Sequence, residues 1–348
     1  MIEHQKLNFE TSYILDMLCF LDLLYSEKSN KEVELIREFE ESLSDTSRKY
    51  MWDIHRQLPR NESITSIIVP MVTADPEFNS LRFSELLGSP KYLILTFKKT
   101  DFFKQAPKVY KKFINRSSEK VIRQLSLVIE ELEKDKFKSF WLEKRLPLIN
   151  QKIKEYNKEI LPFKPIETFN TWLQPVVIHE RTCYVLSFYE GDSMSILSED
   201  LMISSDLSAL QVLKSIIKEV FNKMSICSQL KLMKKELKTN LELRQLYKEV
   251  KNEYPSLIDY LDENMKLALI VYFYHHFEML DYPYQYLNRY NFGTHKLSVL
   301  FYDYMVKSPK GSRQTLTDYL VKVIHEIEWS RLDQKLTMII HQETMGRV

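Results

Sequence analysis

Hydrophobic positions along the chain recur mostly at three- and four-residue steps, and strict alternation is confined to a few short runs. Leu15, Leu18, Leu21 and Leu24, with Cys19, form one such stripe and predict a helical segment over about 8–57, its second helix running from about Lys31 to His55. Pro59 and the polar residues 60–63 end it. Two β-branched or apolar runs follow, ITSIIVPMV at 64–72 and KYLILTFKK at 91–99, and both read as short strands, the first with an edge-type proline.

Helical spacing returns between Asp101 and Ile160. Ser117, Ser118 and Glu119 give a cap signal ahead of Val121, Leu125, Val128, Ile129 and Leu132, and a break is expected near Pro147, after the aromatic pair Phe140 and Trp141. Pro162 and Pro165 close this half. The alternation in VVIHERTCYVLSFY (176–189) predicts one or two antiparallel strands, residues 191–193 a turn, and SMSILSEDLMIS (193–204) a further strand. Ser204, Ser205 and Asp206 can then cap a helix whose stripe is Leu207, Leu210, Leu213, Ile217, Val220, Phe221 and Met224. Further helices are predicted near 228–251, 256–280, 294–307 and 312–342. The expected fold is α+β, predominantly helical, with a small central, mostly antiparallel sheet. The expected organisation is an N-terminal helical segment with the first strands (1–100) and a helical and sheet region (101–348), or one continuous domain over 1–348.

Composition narrows the functional classes. Five glycines in 348 residues argue against phosphate-cradling loops, and no Walker A, G-x-G-x-x-G or G-x-S-x-G sequence is present. Lys plus Arg number 49 against 48 Asp plus Glu, so no chain-wide field favours nucleic acid or anionic membrane, and runs such as KLMKKELK (231–238) have acidic neighbours. Cys19, Cys183 and Cys227 have no paired spacing and read as buried small hydrophobes. The apolar runs at 13–25 and 267–277 are too short to span a bilayer, and residues 1–10 lack the plan of a signal peptide. The expectation is a cytoplasmic protein without membrane or nucleic-acid partners.

The helix around 206–224 carries the strongest chemical suggestion: Lys218-Glu219-Val220-Phe221-Asn222, following directly on the predicted sheet. A helical half, a small sheet, a helix bearing this pentapeptide and then more helices resemble zincin metallopeptidases of the gluzincin type, as in zincin-like domains of bacterial proteins. In that family the helix carries His-Glu-x-x-His, two imidazoles one turn apart gripping zinc and a Glu serving as base for zinc-bound water. The resemblance covers about 90–280 and puts Glu219 at the catalytic position, with Lys218 and Asn222 at degenerate ligand positions and Glu263, opening the next apolar helix, at the third. A protonated Lys cannot ligate and Asn is a poor zinc ligand, so the resemblance implies no metal and no cofactor. Lys214, Lys218 and Asn222 also form the polar face that any amphipathic helix shows to water.

Other constellations are weaker. His275 and His276 beside Glu278 point about 100° apart on a helix and do not converge on one ion. His179-Glu180 and His325-Glu326 lack a second His one turn on, the positions holding Cys183 and Trp329, and His325 and His341 are far apart on what reads as one helix. Cys183 and His179, four apart in a strand, span about 13 Å. The segment 281–292 gathers Tyr282, Tyr284, Tyr286 and Tyr290 around Arg289, a packing cluster or a partner-facing patch. The reading is a metal-free, zincin-like pseudo-peptidase domain that binds a peptide or protein; the alternatives are a helical interaction or regulatory protein with no catalytic ancestry, or a hydrolase with an unrecognised site. Oligomeric state is not readable.

Overall fold

A computed structural model describes residues 7–24, 33–60, 62–75, 82–134, 136–173, 181–189, 195–196, 201–204, 208–223, 237, 239–312 and 314–345. The fold is predominantly helical. The chain divides into two compact units that interleave in sequence: a sheet unit (7–162 and 180–207) and a helical unit (1–6, 163–179 and 208–348). Positions 100 and 101 lie within the first of these.

The sheet unit holds β1 (Leu7–Glu10), α1 (Tyr13–Leu23), α2 (Val33–Ser42), α3 (Asp45–Gln57), α4 (Ile64–Val72), α5 (Phe83–Gly88) and α6 (Pro90–Lys98). It continues with α7 (Asp101–Gln105), α8 (Lys108–Arg116), α9 (Ser118–Lys134), α10 (Phe137–Phe140) and α11 (Leu146–Glu159), then β2 (Arg181–Val185), β3 (Ser195–Ile196) and β4 (Leu201–Ser204). The strand order is β1-β2-β4-β3. Leu7 opposes Arg181 and Thr182 opposes Leu201 in parallel ladders, while Ser195 opposes Ile203 in the antiparallel pair β3–β4. The sheet is therefore mostly parallel, which corrects the antiparallel expectation. That expectation came from a local turn at 191–193, and locality accounts only for β3–β4. Two pairs, β1–β2 and β2–β4, are parallel, the second with β3 lying between its strands in sequence; β1, of four residues, sits at the edge of the region assigned to helix.

Both early strand expectations are also corrected. Residues 64–72 form α4, with Ile64, Thr65 and all of residues 67–72 buried. Burial on every side suits an apolar run in either secondary structure, so the caps decide. Ser63 accepts from Ser66 N (3.0 Å) and Ser66 accepts from Ser63 N (2.9 Å), a reciprocal box. Asp22 of α1 adds two more, from Ile64 N (2.6 Å) and Thr65 N (3.0 Å), closing orphan donors that a strand would not present. Residues 90–98 form α6, with Pro90 at its first turn and Leu93, Ile94 and Phe97 buried at helical spacing. Near Pro147 the chain does not break: a π-helical turn at Trp141–Arg145 leads into α11, whose first turn accommodates the proline.

Asp16 joins these pieces. Its carboxylate is fully buried and accepts from Trp141 Nε1 (2.7 Å), Ser187 Oγ (2.8 Å) and Phe188 N (2.8 Å), tying α1 to the π turn and to the chain leaving β2. Around it Phe20 touches Phe39, Phe137 and Phe188.

The helical unit holds α12 (Pro165–Leu173), α13 (Ala209–Lys223), α14 (Leu241–Val250), α15 (Leu257–His276), α16 (Pro283–Arg289), α17 (Lys296–Lys307), α18 (Leu316–Glu326) and α19 (Leu332–Met345). The single helix expected over 312–342 is two, separated by Arg331 at φ 54°. Ser204 ends β4, Ser205 and Asp206 lie outside the described residues, and Ser208 is the residue that caps α13, accepting from Gln211 N at 3.3 Å. The core of the unit is α15 on α17, pinned by buried Asn264, which donates to Tyr260 O (2.8 Å) and accepts from Ser298 N (3.0 Å).

Burial raises the Asp16 carboxyl above its ordinary value, against its hydrogen bonds to Phe188, Trp141 and Ser187. A raised folded value means that the group's contribution to stability is complete below the unfolded-chain value of about 3.9 and declines as pH rises through the folded one. Asp16→Asn turns an amide N–H toward an N–H donor, so it is expected to cost about 1–3 kcal/mol near neutral pH. The gap to the unaltered protein should widen on acidification, which urea unfolding of both proteins near neutrality and at about pH 4.5 measures.

Candidate functional site

The elements singled out in sequence meet in the helical unit at a chain of aromatic and polar groups. α13 packs against α15, and Tyr274 Oη of α15 donates to Leu210 O at 2.5 Å. One turn further along α13, Lys214 Nζ donates to Tyr290 Oη (2.6 Å) and lies 4.9 Å from that ring's centroid. The Tyr290 ring stands edge-on to His295, 5.3 Å between centroids. His295 is buried, its Nε2 2.8 Å from Tyr254 Oη and its Nδ1 3.1 Å from Thr294 Oγ1. Burial, with the charges of Glu253 and Glu263 adding to it, pushes the Tyr254 phenol up to about 12. Glu263 itself is bound by Lys266 Nζ (3.2 Å), which also reaches Asp262 (2.6 Å). Burial works against the Lys266 ammonium, yet these two carboxylates hold it above its ordinary value.

Lys218, Glu219 and Asn222 lie on the last two turns of α13, with their side chains outside the described residues. Lys214, one turn before Lys218, is not simply solvated: it is half-buried against Tyr290. The sheet and α13, adjacent in sequence and central to the zincin resemblance, belong to different compact units.

The segment 281–292 contains α16, which the pattern did not predict. Tyr284 Oη donates to Asp303 at 3.1 Å and its ring meets Tyr302 edge-on at 5.0 Å. Tyr286 lies between Tyr274 and Tyr290, Tyr282 stands at the N-cap position without a side-chain capping bond, and Arg289 is exposed in its last turn. His275 and His276 part company: His275 Nδ1 is 2.6 Å from Tyr302 Oη, and the exposed His276 ring rests on Phe277. His325 and His341 stand on separate helices, α18 and α19, and Glu326 accepts a hydrogen bond from Tyr304. His179, Glu180 and Cys227 lie outside the described residues. Cys19 and Cys183 are buried, and burial raises both thiols, Cys183 to about 12. Among the described residues no group of three or more His, Cys, Asp or Glu is placed to hold a metal ion.

Sequence reasoning missed His295, Tyr254 and a hollow in the sheet unit. In the sheet unit, the chain leaving β2 opens into a cleft of about 430 Å³ between Val185, Leu186 and Ser187 on one side and Arg145, Ile149 and Lys152 on the other. Clefts at the carboxyl ends of parallel strands are frequent ligand sites. An antiparallel expectation gave no reason to look there.

Comparison with known proteins finds no counterpart: no family model, no curated protein and no solved structure matches this chain.

Tyr290→Phe removes the partner of a half-buried ammonium and is expected to cost about 1–2 kcal/mol. Arg289→Ala, at an exposed position beside it, should stay within about 0.5 kcal/mol. Denaturant midpoints of the two variants check this, and equal effects would mean that the Lys214–Tyr290 contact holds nothing in place.

Proposed function

We propose that the protein is a non-catalytic module that binds an extended peptide or a protein segment on the tyrosine-rich surface of α16. The observation that carries this reading is that Tyr282, Tyr284, Tyr286 and Tyr290 are each partly exposed, with the rings of the last three held by neighbours, beside exposed Arg289. Rings held in this way offer large amphipathic contact area at small entropic cost, and Tyr and Arg are the residue types that dominate binding hot spots. The polar groups beneath them are bonded to one another: Lys214 to Tyr290, His295 to Tyr254 and Thr294, Glu263 to Lys266. This suits a scaffold better than a poised acid, base or nucleophile.

Panning a displayed library of random extended peptides against the full chain tests the reading. Binders are expected to lose at least about tenfold in affinity for a Tyr286→Ser, Arg289→Ala variant, and to be indifferent to Leu148→Ser in the sheet unit. Binders that map elsewhere, or no binders above background, would overturn it.

A degenerate zincin ancestry for this unit is supported by one observation. α13 packs on α15, and the Tyr254–His295–Tyr290 group connects Lys214, one turn before Lys218, with the surroundings of Glu263. Lys218→His with Asn222→His should then create zinc affinity that Glu263→Ala weakens by about tenfold or more, since a third ligand completes a structural tetrahedron. Calorimetric titration with zinc reads both. Affinity indifferent to Glu263 removes the ancestry and leaves the binding reading intact.

A further inference from the structure

Chain-wide charge balance conceals one lopsided surface. Residues 91–116 contain eight basic residues and a single acidic one, Asp101. They form α6, α7 and α8, which are drawn together around Phe97: its ring touches Phe102 and Phe103 of α7 and Tyr110 of α8. Asp101 is already engaged by Lys104 at 2.7 Å. Lys91, Lys99, Lys108 and Lys112 are exposed, and among the described residues none of them has an acidic partner. The same helices leave large apolar side chains in water: Tyr92 is 48% exposed, Leu95 61%, Phe102 45% and Val109 64%. Tyr92 and Leu95 are three apart on α6 with Lys91 and Lys99 flanking them, and Val109 lies between Lys108 and Lys112 on α8. Helices α6 and α8 thus each bury apolar residues in the core and also leave apolar side chains outward among lysines.

From this we infer that the α6–α8 surface docks on an anionic lipid bilayer, lysines to headgroups and Leu95, Val109, Tyr92 and Phe102 into the boundary beneath them. Basic side chains around exposed apolar ones are the mark of helices that lie in a membrane interface. No helix among the described residues is long and apolar enough to cross a membrane, and interfacial docking needs none. Two features favour lipid over nucleic acid. Leu95 and Val109 have no π-face on which a base could stack, and they are the most exposed of the four. Seven of the eight basic residues are lysines, which carry headgroup attraction as point charges, whereas bidentate phosphate and base recognition draws on arginine. An acidic protein would satisfy the lysines but gives no reason for two aliphatic side chains standing in water between them.

The test is sedimentation of the full chain with vesicles of phosphatidylcholine alone and of phosphatidylcholine with about a third phosphatidylserine, with a single-stranded oligonucleotide as a parallel probe. Binding to the phosphatidylserine vesicles only, weakened by salt, is expected. Each lysine near such a surface is worth roughly fivefold, so Lys91→Gln, Lys99→Gln, Lys108→Gln and Lys112→Gln together should lower binding by more than about a hundredfold. A variant with the same charge change elsewhere in the unit, at Lys136, Lys138, Lys144 and Lys158, should lose far less. Leu95→Ser with Val109→Ser should lose about tenfold without changing charge. All eight lysines, Leu95 and Val109 are exposed, and circular dichroism melting verifies that the variants remain folded. The inference is overturned by absence of vesicle binding, by equal losses in the two lysine variants, or by full retention in the Leu95 and Val109 variant. Tight oligonucleotide binding that depends on the lysines and ignores Leu95 and Val109 would likewise overturn it and assign the surface to nucleic acid.

Discussion

Moving a carboxylate out of water costs several kcal/mol unless donors replace the lost hydration, and Asp16 meets that requirement only because two distant stretches of chain, at Trp141 and at Ser187–Phe188, converge on it. The indole of Trp141 must face inward, which places the π turn; Ser187 and the Phe188 amide must arrive from the end of β2, which places the strand. Since β2 lies between β1 and β4, fixing its exit fixes the sheet. The cleft beside Ser187 is a by-product of the same arrangement, one wall being the segment Asp16 holds and the other the start of α11. A neutral apolar residue at position 16 could fill the volume but could not dictate which three segments meet there.

The helical unit solves the same problem with neutral groups. Its interior tyrosines carry hydroxyls that must find partners, and they find backbone carbonyls, histidines and one another's neighbourhoods: Tyr274 to Leu210 O, Tyr319 to Ser308 O, Tyr254 to His295, Tyr302 to His275. Burial raises the phenols of Tyr254, Tyr274 and Tyr319, so these three remain donors across the physiological range. Tyr284, Tyr286 and Tyr290 belong to this packing on their inner side and are partly exposed on the other, which is how one segment supplies both core and surface.

What could be read from sequence follows a physical divide. Stripes such as Leu15, Leu18 and Leu21 report a helix directly, because the helix repeat itself places them on one face. Asp16 between them carried no such signal, its partners lying 125, 171 and 172 residues away. The run 64–72 was ambiguous for a different reason: an apolar segment buried on all sides has no periodicity to betray it, and only Ser63 and Ser66 at cap spacing distinguish helix from strand. At the candidate site, the tyrosines of 282–290 are legible as a cluster, whereas Lys214 reads as part of a wetted face because its partner Tyr290 lies 76 residues on. Glu219 rests on its place in a pentapeptide. The basic surface of α6–α8 is hidden by averaging, since its charge is cancelled by residues far from it, and the apolar run 91–99 read as a strand gives no outward helical face to Leu95.

Interleaving of the two units has a consequence for how the protein is made. Leu7 emerges from the ribosome 174 residues before its partner Arg181, on the order of ten seconds or more at ~5–20 residues per second. During that interval β1 has no strand to pair with and Asp16 can meet only one of its three donors, Trp141, while residues 163–179 of the other unit emerge before the sheet can close. Translation thus imposes an order in which the N-terminal helices collapse first and wait. No single cut of the polypeptide separates the units, so a fragment ending at residue 162 keeps every described helix of the sheet unit and lacks β2, β3 and β4.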